Sequence, residues 1–155
     1  MLAAAFIGLV TEPAQVQRFE SASPVETERI AAEFAAGLEP GDVVLLRGDL
    51  GSGKTTFVRG AARALGVERN VTSPTFAIGN VYDGAAGEIA HVDLYRLDEL
   101  DVGDAAVLED FLTDRRVAFV EWPHAELAGV AGLRAAVTLA HGGGDQRSIE
   151  IEWTE

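Results

Sequence analysis

Residues 43–60 read VVLLRGDLGSGKTTFVRG: an unbroken apolar run, a glycine-rich turn and a helix-forming segment, with no spacer between them. The run at 43–46 suits a strand covered on both faces. From Gly48 the chain meets G-x-x-x-x-G-K-[ST] through Gly48, Gly53, Lys54 and Thr55. Glycines at these positions let successive N–H groups turn inward as an anion nest. A helix over 54–65, closed by Gly66, adds its positive end and its unpaired donors. Lys54 is the only lysine in a chain with 12 Lys and Arg residues. A compact ammonium fits inside such a nest, whereas a planar guanidinium overfills it. The stretch therefore predicts a triphosphate site in which the glycine loop and Lys54 hold the phosphates and the Thr55 hydroxyl ligates Mg2+.

Upstream, QVQRFES (15–21) alternates weakly, as an edge strand does. In 23–42, Ser23 stands three residues before Glu26 with Pro24 at the first helical position, the pattern of a capping box with an N1 proline. Ile30, Phe34 and Leu38 continue as one apolar stripe, and Pro40-Gly41 ends it. Downstream, 71–84 and 88–97 flank DGAAGE and predict a hairpin. Residues 98–113 read as helical and VAFVEW (117–122) as a second buried strand. RAAVTLAH (134–141) and RSIEIEW (147–153) read as two strands joined by a glycine turn.

The sum is an α/β fold: a P-loop NTPase-like, mostly parallel sheet flanked by helices, with antiparallel edge strands and hairpins. Residues 1–22 read as an N-terminal extension with an edge strand, and 23–155 as a single P-loop ATPase domain. The apolar run MLAAAFIGLV (1–10) has no basic residues in front of it, so it reads as an extra strand or an arm rather than an export signal.

Composition narrows the function. The chain has 155 residues and is 48% hydrophobic, enough for one packed core. With 0 cysteines it has no disulfide, thiolate metal site or cysteine nucleophile, in keeping with a cytoplasmic setting. The formal net charge of −13 argues against direct, charge-driven binding to nucleic acid. No apolar run approaches the ~18 residues of a membrane span.

Hydrolysis needs acids as well as a phosphate loop. In open α/β sheets, ligands sit beyond the carboxyl ends of the strands. Two apolar strands end in acids, EIAHVD at Asp93 and VAFVE at Glu121, and these are the candidate catalytic acids. Both reach the mouth of the phosphate loop if their strands run parallel to 43–46. The segment TSPT (72–75), through Ser73, Pro74 and Thr75, suits a switch that closes on the γ-phosphate.

GDLGSGKTTFVRG (48–60), SPTF (73–76), HVDLYRL (91–97) and VEWP (120–123) occur in this order and at compatible spacing. Together they resemble the bacterial TsaE (YjeE-like) family, the ATPase component of tRNA threonylcarbamoyladenosine biosynthesis, over about residues 23–151. The resemblance implies an ATPase that binds a TsaB–TsaD heterodimer and supports threonylcarbamoyl transfer to the tRNA adenosine next to the anticodon. It also implies ATP as substrate, with Asp49, Leu50, Gly51, Ser52, Gly53, Lys54, Thr55 and Thr56 contacting its phosphates. It implies further that Thr55 and Glu121 hold Mg2+, that Asp93 lies beside metal and γ-phosphate, that Trp122 flanks a second switch, and that Thr27 lies near the base. Arg147 is a further candidate for reaching the nucleotide. The stretch AAVLEDFL (105–112) departs from the family by lacking its usual glycine, and His124 follows EWP where another charged residue is common.

Rival functions are weaker. A GTPase needs a second lysine for its guanine-reading N-K-x-D motif. A small-molecule kinase needs a basic lid, and neither Arg59 with Arg63 nor Arg115 with Arg116 forms one. A regulatory module that binds ATP without hydrolysing it is distinguished by turnover.

Overall fold

The apolar run at the start of the deciding stretch becomes the centre of the sheet. In the computed structural model, which describes residues 15–75, 78–97 and 99–154, strand β2 spans Val43–Arg47. Val44 and Leu46 face one side core and Val43 and Leu45 the other, so the strand is buried on both faces. The remaining strands are β1 (Gln15–Ser21), β3 (Gly79–Asp83), β4 (Glu88–Asp93), β5 (Arg116–Glu121), β6 (Leu133–His141) and β7 (Arg147–Trp153). They form one seven-stranded sheet in the order β1-β7-β6-β2-β5-β4-β3. The central four, β6, β2, β5 and β4, are parallel, while β7 and β3 run against their neighbours and β1 pairs antiparallel with β7. The mixed α/β sheet with antiparallel edges is the one expected. The reading of residues 1–10 lies outside the described residues.

Helices α1 (Pro24–Ala35) and α2 (Lys54–Ala64) pack together on one face around Ile30, Phe34, Phe57 and Val58. Helix α3 (Val102–Phe111) covers the other face through Leu108, with a 3-10 turn at Ala125–Gly129 beside it. The helices α1 and α2 approach closely because Gly60 has no side chain: a Cβ there would lie 2.4 Å from Glu28 O. Gly66, at φ +94, ends α2 by letting its own N–H reach Arg63 O and the Val67 N–H reach Ala62 O.

Two local expectations are corrected. Ser23 caps α1 by accepting from the Glu26 N–H, but Glu26 Oε2 accepts from the Ala22 N–H and not from the cap residue, so the box is half formed. A reciprocal box occurs instead at α3, between Asp101 and Asp104, where two aspartates replace the Ser/Glu pattern. Strand β5 stops at Glu121, one residue early, because Trp122 turns to φ +56 and leaves the sheet.

Candidate functional site

The register of the parallel strands assembles the site. Leu46 of β2 pairs with Glu121 of β5, and Glu121 with Asp93 of β4. The loop after β2 and the two acids therefore share one edge of the sheet, as the parallel arrangement requires. Gly48 must be glycine: a Cβ would meet Leu139 O at 2.4 Å and Ser52 Oγ at 2.5 Å. Gly51 and Gly53 adopt φ +75 and φ +104. Gly53 precedes α2 with no side-chain cap, which leaves the first amides of the helix for an anion.

Lys54 is only 4% exposed. Its Nζ donates to Gly48 O at 2.6 Å and Asp49 O at 2.9 Å, and lies 4.1 Å from the centre of the Trp122 ring. Burial pushes its pKa below the ordinary value of 10.5, against the opposing charges of Glu121, Asp93 and Asp49. Trp122 is the only non-glycine residue at positive φ among those described. That conformation costs on the order of 1–3 kcal/mol and aims the ring at the ammonium. Tyr95 packs on the same ring, centroids 4.9 Å apart.

The Thr55 hydroxyl donates to Glu121 Oε2 at 2.9 Å and lies 3.0 Å from Ser73 Oγ. Glu121 is 3% exposed, and its Oε2 also bonds His91 Nε2. Asp93 Oδ1 accepts from the Tyr95 N–H at 2.9 Å. Burial is the main cause that raises its pKa above 3.8, with Glu121 adding and the Tyr95 N–H opposing. A hydroxyl and two carboxylates with no thiol form a hard, oxygen-only set. No cluster of three His, Cys, Asp or Glu occurs among the described residues, so a divalent ion here would need phosphate and water oxygens to complete its shell. That donor set fits magnesium carried in with a nucleotide.

These groups border a cavity of ≈ 320 Å³. Of the sequence-named residues, Thr27, Leu50, Gly51, Gly53, Lys54, Thr55, Thr56, Ser73, Asp93, Glu121, Trp122 and Arg147 line it. Asp49, Ser52, Pro74 and Thr75 do not. Ser52 is fully buried beneath the loop, Asp49 borders a neighbouring groove, and the Thr75 carbonyl is held by Arg96. Arg147 reaches from β7 to Gly51 O at 3.1 Å and also donates to Gly144 O and Gln146 O. His141 Nε2 lies 3.3 Å from Leu50 O, so the β6–β7 hairpin braces the outer side of the loop. Thr27 is buried with its hydroxyl 2.7 Å from Ser21 Oγ.

Sequence reasoning missed Pro24, Tyr95 and Asp145 in the lining, and His91 behind it. Tyr95 had a signal, since it stands two residues beyond a strand-end acid. Asp145 had none, because only the folded hairpin brings it round to the loop.

The chain is similar to known proteins in sequence and in fold. The family model described as "Threonylcarbamoyl adenosine biosynthesis protein TsaE" matches residues 21–149. The chain is 37% identical over 132 residues to the tRNA threonylcarbamoyladenosine biosynthesis protein TsaE of Bacillus subtilis, covering 85% of this chain and 82% of that protein. It is 40% identical over 119 residues to the protein of the same name from Streptomyces coelicolor, covering 75% and 80%. The crystal structure of YdiB from Bacillus subtilis superposes with a TM-score of 0.72 at 32% identity, over 91% of this chain and 87% of that one.

Proposed function

The chain belongs to the TsaE family of tRNA threonylcarbamoyladenosine biosynthesis, and we propose that within it this protein binds and hydrolyses Mg·ATP in support of a TsaB–TsaD partner. The observation that carries the reading is the Thr55–Glu121 hydrogen bond. It joins the first turn of α2 to a strand-end acid 66 residues away, inside the cavity that also holds Lys54 and Asp93.

The loop amides and the start of α2 receive the phosphates, and Lys54 supplies the cation that leaves its resting carbonyls for phosphate oxygens. Thr55 and Glu121 hold magnesium, which when bound neutralises charge on the phosphates. Asp93, whose raised pKa reflects a poorly solvated carboxylate, orients the attacking water and accepts its proton as the γ-phosphoryl bond breaks. Trp122 and Tyr95 wall this end of the cavity against solvent. Arg147 lines the cavity, but its guanidinium is engaged by three carbonyls, and no other arginine among the described residues lines it. Turnover by the chain alone is therefore slow, and a partner accelerates it by completing or stiffening the site.

ATP hydrolysis measured with and without purified TsaB–TsaD tests the reading. Lys54→Ala is expected to lose binding and turnover, and Glu121→Ala to lose turnover more than binding. Equal rates with and without partner would remove the stimulation. Intact turnover in Lys54→Ala would remove the site itself. ATP uptake with no turnover in either setting would favour a regulatory module.

A further inference from the structure

His91 stands on β4 two residues before Asp93 and is fully buried. Nothing in the phosphate chemistry above gives it a task. Its Nε2 is hydrogen-bonded to Glu121 Oε2, while its Nδ1 is buried with no partner among the described residues. These two facts fix the tautomer. A carboxylate oxygen accepts, so the ring hydrogen sits on Nε2 and Nδ1 carries a lone pair. The other tautomer would set two lone pairs against each other and bury an N–H with no acceptor.

The same Oε2 accepts from the Thr55 hydroxyl. Two donors, one on β4 and one on α2, thus converge on a single oxygen of a flexible side chain. No hydrogen bond within the described residues uses Oε1. Because Thr55 gives its hydrogen to Glu121, the Ser73 hydroxyl 3.0 Å away is the donor to Thr55, and one Thr55 lone pair is left for a cation. The order of orientation runs from His91 to Glu121 to Thr55.

We propose that His91 is a positioning residue for the magnesium site. It pins Glu121 Oε2 so that Oε1 and the remaining Thr55 lone pair are presented to the metal and its water. This role rests on the Mg·ATP reading. Groups that orient metal ligands in this way cost about 10–100-fold in metal affinity or activity when removed. A histidine that merely filled the core would be replaceable by any apolar side chain of similar size.

The test compares His91→Leu, which keeps bulk and loses the donor, with His91→Gln, whose amide can donate from near the Nε2 position. Both are expected to melt close to the wild type. With TsaB–TsaD present, His91→Leu should lower kcat or raise the half-saturating Mg2+ concentration by about 10–100-fold, with little change in KM for ATP. His91→Gln should recover most of that loss. If the leucine variant does not fold, His91→Asn, whose shorter amide cannot reach Glu121, takes its place.

A readout independent of turnover is the 15N spectrum of the imidazoles in the nucleotide-free, magnesium-free protein. The resonance lost in His91→Gln should show a pyrrole-like Nε2 and a pyridine-like Nδ1. The reverse tautomer overturns the proposal, as does a folded His91→Gln that loses as much as the leucine variant. A wild type that takes up no Mg·ATP sinks the functional reading and this role with it. A wild type that turns over, beside an indistinguishable His91→Leu, sinks this role alone.

Discussion

Lys54 and Asp93 show how single groups are held in charge states that burial opposes. Lys54 lies among two carbonyls and the Trp122 ring, a space shaped to one ammonium. Lys54→Arg keeps the charge but not the shape. It is expected to weaken Mg·ATP binding by about tenfold or more, the worth of one charge-assisted hydrogen bond, as read by calorimetry. Unchanged affinity would show that charge alone suffices. For Asp93, the carboxyl is held above its ordinary 3.8, chiefly by burial. Between 3.8 and the raised value the folded state binds more protons than the unfolded one. Stability therefore falls as pH rises through that window and stays lower above it. Asp93→Asn removes the charge and keeps an acceptor for the Tyr95 N–H. The nucleotide-free variant should melt higher than wild type at pH 7 while its ATP turnover drops. A lower melting temperature would contradict the assignment.

Elements meet their requirements in ways that sequence shows unevenly. The loop after β2 was legible because its glycines answer local demands of backbone angle and close approach, which a short motif records. Asp93 and Glu121 were legible only as strand ends. Their adjacency depended on β4 and β5 both running parallel to β2, a long-range fact that the register supplies. His91 opens the quoted stretch HVDLYRL, but its role was not legible. In EIAHVD it occupies a position that reads as core, and its partner is 30 residues away. The end of β5 was misjudged by one residue because nothing in VEWP announces a left-handed tryptophan. Gly60 makes a sharper test of the helix pair. Alanine is the better helix former by up to ~1 kcal/mol, yet its Cβ would press on a rigid carbonyl at 2.4 Å. Overpacking of this kind outweighs propensity, so Gly60→Ala is expected to destabilise by about 2 kcal/mol net. That corresponds to a Tm loss of roughly 4–8 °C for a chain of this size. A more stable variant would mean that α1 and α2 can move apart freely.

At the scale of the whole molecule, charge and topology govern encounter. With 25 acidic residues against 12 basic ones, the body carries a long-range negative field. If the proposed TsaB–TsaD partner offers a basic surface that otherwise receives tRNA, docking there would be steered electrostatically. Its association rate, followed by stopped flow, is expected to fall steeply as salt shortens the Debye length. A rate indifferent to salt, or tight simultaneous binding of tRNA, would count against such docking. No helix among the described residues is long and apolar enough to cross a membrane.

The brace from the β6–β7 hairpin also sets a clock on the ribosome. Arg147 secures Gly51 across 96 residues, and His141 holds its neighbour Leu50. At translation speeds of about 5–20 residues per second, the loop waits roughly 5–20 s for its outer support to emerge. For most of that interval β2 has no β6 beside it, and throughout it β1 has no β7. The outer side of the loop is thus the last part of the site to be completed, and a chain cut within the hairpin would lack the Arg147 contact to Gly51.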